Sequence, residues 1–274
     1  MIIARTYEEL AVARAALGST ALVATMGALH PGHIALVDAA KRAGLTPVAS
    51  IFVNPTQFGP KEDFSRYPRD EEGDIAKLRK AECALLWLPS MDEMYPSGNT
   101  TTVHVGGPSQ HWEGTQRPGH FNGVATVVAK LLGQVKPDAA FFGEKDWQQV
   151  QVVRRMVADL HLPVRIISVP TVREEDGLAM SSRNRYLTPQ ERQAAPKLFA
   201  ALKHAVQHLL AGKEPAATLH NTRHELAAAG MVPDYVALVH AETLEPLNVL
   251  AHPARLLAAV RFGHVRLLDN LPVG

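Results

Sequence analysis

The sequence predicts an α/β protein, with a Rossmann-like doubly wound parallel sheet followed by a smaller α+β C-terminal domain. Three observations predict it. Short, continuous apolar runs alternate with helical patterns through the first two-thirds of the chain. Such runs between helices belong to parallel strands covered on both faces. The alternation stops near residue 172, and a polar stretch, two helical patterns and β-rich segments follow. The chain has 274 residues, 46% of them apolar, enough for one large domain or two modest ones. The boundary is drawn between 1–172 and 173–274.

The elements are read in chain order. "ALVAT" (21–25) is a buried strand, and "IALVDAAKRAG" (34–44) is a helix ending at Gly44. "PVASIFV" (47–53) is the next strand, followed by the long polar loop "NPTQFGPKEDFSRYPRD". A helix over about 70–82 leads to the apolar run "ALLWLP" (84–89). Then come a helix at 122–135, a strand at 138–143, a helix at 147–160 and a strand at 164–169. Beyond the polar "REEDGLAMSSRNRYL", two helices are expected, "TPQERQAAPKLFAALKHAVQHLLAG" and "AATLHNTRHELAAAG", with Gly212 and Gly230 past their ends. "PDYVALVHAETLEPL" and "RLLAAVRFGHVRLLDN" read as β.

Composition excludes some partners. The 28 basic and 27 acidic residues leave a net charge of +1, without the basic excess of a nucleic-acid binder. A few local charges still suffice for a small anionic substrate. No segment reaches the roughly 20 apolar residues of a membrane helix. "MIIARTYEEL" acquires charge too early for a signal peptide, so a soluble cytoplasmic protein is expected. The single cysteine, Cys83, reads as a buried apolar thiol.

"MGALHPGH" follows the first buried strand. In open α/β sheets, ligands bind beyond the carboxyl ends of strands. Gly27 and Gly32 permit close backbone approach, Pro31 suits a first helical turn, and the free N–H groups of that turn favour phosphate. His33-Ile34 stands where a P-loop has Lys-Ser/Thr, and no G-x-G-x-x-G, H-E-x-x-H or G-x-S-x-G is present. What remains is His-x-Gly-His, two imidazoles able to donate to a polyphosphate. A helix N-terminus disfavours imidazolium in the empty site, and bound triphosphate favours it.

Other strand ends carry polar groups. In "GEKDWQQ" (143–149), Lys145 can reach phosphate, Asp146 can accept from a ribose hydroxyl, and Gln149 faces the same crevice. "MSSRN" (180–184) gathers two hydroxyls, an arginine fork and an asparagine; a plain helix cap is the other reading. "FVNPTQFGP" offers Asn54 and Gln57 beside phenylalanines, and "RPGHFNGV" offers Arg117 and His120. The pairs His204/His208 and His220/His224 are expected on the surface.

"MGALHPGH", "NPTQF", "RYPRD", "RPGHF", "GEKDWQQ" and "MSSRN", in this order, closely resemble the pantothenate synthetase (pantoate–β-alanine ligase) family, over essentially the whole chain. The wider likeness is to the HxGH nucleotidyltransferase superfamily. The resemblance implies a ligase that forms pantoyl adenylate and pyrophosphate from ATP and (R)-pantoate with Mg²⁺. Attack by β-alanine would then give pantothenate and AMP. It also implies a cytoplasmic homodimer with a lid-like C-terminal domain. Met26, Gly27, Ala28, Leu29, His30, Pro31, Gly32 and His33 would line the ATP site, with His33 as proton donor and His30 its companion. Gly143, Glu144, Lys145 and Asp146 would hold the nucleotide, with Lys145 on phosphate. Val172, Met180, Ser181, Ser182 and Arg183 would complete that site. Gln57 and Gln149 would bind pantoate, with Asn54, Arg117 and His120 beside it, and Gln57 would also meet β-alanine. Asp74 is the candidate for the Mg²⁺ region. Asp70 stands where the family commonly has threonine. A bare adenylyltransferase acting on another small acid or phosphate is the alternative enzyme, and a non-catalytic nucleotide-binding module is the alternative outside catalysis.

Overall fold

The computed structural model describes residues 1–60 and 62–274; Lys61, within the polar loop, lies outside them. The first part of the chain runs β1 (Ile2–Ala4), α1 (Tyr7–Ala15), β2 (Thr20–Thr25), α2 (Pro31–Arg42), β3 (Thr46–Ile51), α3 (Glu71–Lys80) and β4 (Leu85–Trp87). It continues through α4 (Met91–Met94), α5 (Glu113–Gln116), α6 (His120–Val135), β5 (Ala139–Gly143), α7 (Trp147–Asp159) and β6 (Arg165–Val169). The six strands pair in parallel, in the order β1-β4-β3-β2-β5-β6.

Strand alternation sorts the core into two layers. Leu22, Ala140 and Phe142 pack with residues of α1, α6 and α7. Ala21, Val23, Ala139 and Phe141 point the other way, to Leu36, Val37 and Ala40 of α2 and Leu78 of α3. Cys83 is buried in that second layer, as expected.

After β2 the chain lays β3 and β4 to one side. After β4 it crosses back to place β5 and β6 on the other. The switch point therefore lies between β2 and β5, where a doubly wound sheet opens its ligand crevice. The segments that leave these strands are "MGALHPGH" and "GEKD".

The remaining residues form α8 (Pro189–Ala194), α9 (Lys197–Leu210), α10 (Pro215–Ala228), β7 (Val232–His240), β8 (Ala254–Phe262) and β9 (Val265–Val273). The long helix expected over 188–212 is broken. Pro196 lies between α8 and α9, where its ring and missing N–H interrupt an α-helical ladder. The three strands make an antiparallel sheet in the order β7-β8-β9. One face, with Val236, Leu238 and Leu256, packs on α9 and α10. The other, with Ala237, Val239 and Leu257, packs on Trp147 of α7 and on Trp112. The small sheet thus rests directly on a helix of the large one. No helix among the described residues is long and apolar enough to cross a membrane.

Candidate active site

The turn after β2 is held from beneath. Asp74 of α3 is buried, and its carboxylate accepts the N–H groups of Ala28 and Leu29, each at 2.7 Å. These bonds fix Ala28 in the left-handed region, at φ 49°, where a side chain is strained. The sequence offers Asp74 for the Mg²⁺ region; in the structure both of its oxygens accept backbone N–H groups, Lys77 Nζ lies 3.4 Å from Oδ1, and the side chain is outside the cavity lining. Among the described residues, no three His, Cys, Asp or Glu side chains gather to hold a metal.

His30 caps α2. Its Nδ1 accepts the Gly32 N–H at 3.2 Å, while the Nδ1 of His33 accepts the His30 N–H at 3.3 Å. A neutral imidazole that accepts at Nδ1 carries its hydrogen on Nε2. The fold therefore selects one tautomer for both rings, whose centroids are 4.0 Å apart. Gly32 makes the pairing possible, because a Cβ there would lie 2.8–2.9 Å from the His30 ring. Burial lowers the pKa of His30 to about 4, with Lys145 adding to the shift. Burial and then His30 lower that of His33 to about 3. At neutral pH both rings are uncharged hydrogen-bond donors. In the ligand-free protein His33 thus keeps its Nε2–H for donation but carries no imidazolium charge.

A cavity of about 260 Å³ opens over this turn. It is lined by Met26, His30, Gly32, His33, Asn54, Gln57, Arg117, His120, Gly143, Lys145, Asp146, Gln149, Val172, Met180, Ser181, Ser182 and Arg183. Gly27, Ala28, Leu29 and Pro31 shape the turn without lining the cavity, and Glu144 faces elsewhere, toward Arg255 and Ser168. The residues expected at one site thus largely converge, from segments far apart in sequence.

Opposite the histidines lies the "NPTQF" turn. Asn54 is buried; its Oδ1 accepts from the Tyr95 hydroxyl at 2.9 Å, and its Nδ2 donates to the Gly123 carbonyl at 3.1 Å and to Gln57 Oε1 at 3.0 Å. The turn packs onto α6 only because residue 123 is glycine: a Cβ there would lie 2.6 Å from the Gln57 backbone nitrogen and closer still to the Thr56 carbonyl. With Oε1 occupied, Gln57 is left to donate through Nε2, which rests 3.2 Å from Met26 Sδ.

The arginines are already paired. Arg117 forks onto Glu62 at 2.6 and 2.7 Å, and Arg183 forks onto Asp63 at 2.9 Å twice. Arg117 also contacts His120 Nε2 at 2.9 Å, and His120 Nδ1 meets the Gln57 carbonyl at 2.8 Å. Both ring nitrogens of His120 are therefore used in bracing the turn. Burial, then Arg117, lowers its pKa to about 4. Ser181 does cap the 3₁₀ turn Ser182–Tyr186, as the plain reading holds, while Ser182 donates to the Ala28 carbonyl at 3.0 Å and lines the cavity. Sequence reasoning misses the contribution of β9: Arg266, Leu267, Leu268 and Asp269 also line the cavity. Their strand pattern carries no sign of it.

The switch-point crevice, with two imidazoles fixed as donors and Lys145 and arginines at its wall, has the make-up of an α/β enzyme site for an anionic small molecule. Comparison with known proteins narrows the class. The chain belongs to the pantoate–β-alanine ligase family, whose model matches residues 2–272. It is 58% identical to the pantothenate synthetase of Acidiphilium cryptum, over 100% of both chains. The crystal structure of pantothenate synthetase from Thermus thermophilus superposes with a TM-score of 0.95 at 52% identity, covering 100% of this chain and 99% of that one. The pantoate–β-alanine ligase of Francisella tularensis, complexed with beta-gamma ATP and beta-alanine, gives 0.85 at 34% identity, covering 99% and 97%.

Proposed function

We propose that this protein condenses (R)-pantoate with β-alanine at the expense of ATP, through pantoyl adenylate. A pantoate carboxylate oxygen attacks the α-phosphorus, and the bond to the leaving pyrophosphate breaks. The β-alanine nitrogen then attacks the acyl carbon and AMP leaves, the amine losing a proton. The observation that carries this reading is the single cavity that joins His30, His33 and Lys145 to Gln57 and Gln149. The first group suits a polyphosphate and the second suits a small hydroxy acid.

Each group has a stated task. The histidine Nε2–H donors and Lys145 take up negative charge that develops on the phosphates, which needs no reorganisation once the rings are fixed. Positioning and charge stabilisation carry most of such a transfer. Met26 to His33, Gly143 to Asp146, Val172 and Met180 to Arg183 frame the nucleotide. Gln57 donates to pantoate oxygens and to β-alanine, and Gln149 faces pantoate. Asn54, Arg117 and His120 hold this wall. The Arg117 fork, occupied by Glu62, leaves the attacking carboxylate free of a strong cation and therefore nucleophilic.

Among the described residues no three His, Cys, Asp or Glu side chains gather into a metal cage. Mg²⁺ is proposed to travel with the nucleotide phosphates, consistent with its preference for phosphates and water over protein cages. The resemblance supports a cytoplasmic homodimer and a lid-like 173–274 domain closing on 1–172, and these belong to the same proposal.

Pantoate-dependent ATP–pyrophosphate exchange tests the reading. His33→Ala is expected to fold and to lose exchange by about 10²-fold or more, the usual cost of one preorganised donor. A β-alanine-independent end product would favour a bare adenylyltransferase. Wild-type exchange in His33→Ala would remove the imidazole from the mechanism.

A further inference from the structure

The antiparallel sheet does more than cover the cavity. Asn270 of β9 is buried, and its Nδ2 donates to two successive carbonyls, those of Glu144 and Lys145, each at 2.9 Å. Its Oδ1 accepts from Arg255 Nε at 2.5 Å, and its backbone N–H donates to Asp269 Oδ1 at 2.8 Å. Because a guanidinium only donates, the amide of Asn270 can face the turn one way round. Arg255 of β8 is buried too; it lies 3.6 Å above the Trp147 ring and donates to Glu144 Oε2 at 2.9 Å. The turn has no side-chain cap of its own at Gly143 or Asp146. Residues 144, 145 and 147 are thus gripped by two strands whose residues lie more than a hundred positions later.

We propose that Asn270, supported by Arg255, is a positioning residue for Lys145, setting where its ammonium enters the cavity. The inference rests on the reading of Lys145 as a phosphate contact. Asn270 touches no substrate. It acts by holding the two carbonyls of a short turn that lacks end caps of its own, in which Lys145 is otherwise tied only to its neighbour Asp146, at 3.3 Å. Removing it strips a donor from both carbonyls in a buried place, where unmade hydrogen bonds are costly.

The test is a double-mutant cycle on the full-length protein, read by exchange kinetics, with circular dichroism and thermal melts as folding controls. Asn270→Ala is expected to raise KM for ATP and lower exchange by roughly tenfold, the size of one lost buried hydrogen bond. KM for β-alanine in the full reaction stays unchanged. In a Lys145→Ala background the same substitution adds less than about twofold, because the group it aims is gone. Arg255→Lys, which keeps the charge facing Glu144, is expected to show a milder defect with the same dependence on Lys145. It serves as the readout should Asn270→Ala fail to fold. Additive losses from Asn270→Ala and Lys145→Ala, or an equal rise in both KM values, overturn the inference and leave the role of Lys145 standing. Normal exchange in Lys145→Ala overturns that role, and the inference with it.

Discussion

Asp74 and Ala28 are joined by a 2.7 Å hydrogen bond from the Ala28 N–H to a carboxylate that is 1% exposed. The bond spans 46 positions and ties α3 to the turn that carries both active-site histidines. Asp74→Ala removes this bond and the matching one from Leu29. Bonds to a charged acceptor are worth about 1.5–3 kcal/mol each, so a loss of several kcal/mol is expected in urea unfolding. Asp74→Asn keeps the shape but offers one acceptor oxygen instead of two, and should recover part of the stability. Its dependence on Mg²⁺ concentration should match that of the unmodified protein. A weakened Mg²⁺ response with stability intact would return Asp74 to the metal.

The histidines make stability depend on pH in a defined direction. His30, His33 and His120 are held near 4, 3 and 4, below the usual 6.5. Between those values the unfolded chain binds protons that the folded one refuses. This contribution is fully present above pH 6.5 and falls as the pH drops toward 4 and then 3. Replacing His33 with glutamine should flatten the fall in urea midpoint between about pH 7 and pH 5, relative to the unmodified protein. In NMR titrations the ring of His33 should show no transition above about pH 5 without nucleotide. ATP brings negative charge to the ring and should raise that transition. Identical titrations with and without ATP would remove the coupling between protonation and nucleotide binding.

Gly32 gives a sharper geometric prediction. A methyl group at this position would lie within 2.9 Å of the His30 ring, which must then rotate away. Gly32→Ala should keep a near-normal melting temperature and lose exchange by about tenfold or more, since His30 would leave its donor position. Gly123→Ala should do the reverse in part. Its methyl would meet the backbone of Thr56 and Gln57, with no side chain to move, so thermal stability should fall first. An active Gly32→Ala protein would show that the His30 position is not critical.

How much of this is legible in the sequence follows from the range of each interaction. The buried strands and the HxGH and "GEKD" turns are legible because their signals are local: an apolar run, then glycine, then polar groups at the start of a helix. β1 is not, since three residues at a sheet edge carry no period. The break at Pro196 is masked because the apolar spacing continues across it. The grip of Asp74 on the turn, and the approach of β9 to the cavity, depend on contacts between distant segments. No spacing encodes those. An alternating strand such as β9 shows which residues share a face, but not what lies opposite that face.

Glu62 and Arg117 supply the last prediction. The guanidinium lies along the cavity wall with its fork on Glu62 at 2.6 and 2.7 Å, while Gln57 offers the gentler amide donor. An uncompensated arginine would attract the pantoate carboxylate and hold it tightly in the ground state, where it must remain a nucleophile. Glu62→Gln removes the nearer competing charge, leaving Glu113 at 3.9 Å from the guanidinium, and keeps a neutral side chain of similar size. KM for pantoate should fall and kcat should fall with it, by roughly three- to tenfold each, with kcat/KM little changed, the signature of a strengthened ground state. A lower KM with kcat unchanged or raised would mean that Arg117 already grips substrate oxygens during turnover. Steady-state kinetics at saturating ATP and β-alanine distinguish the two outcomes, and repeating them with added salt checks that the effect is one of charge.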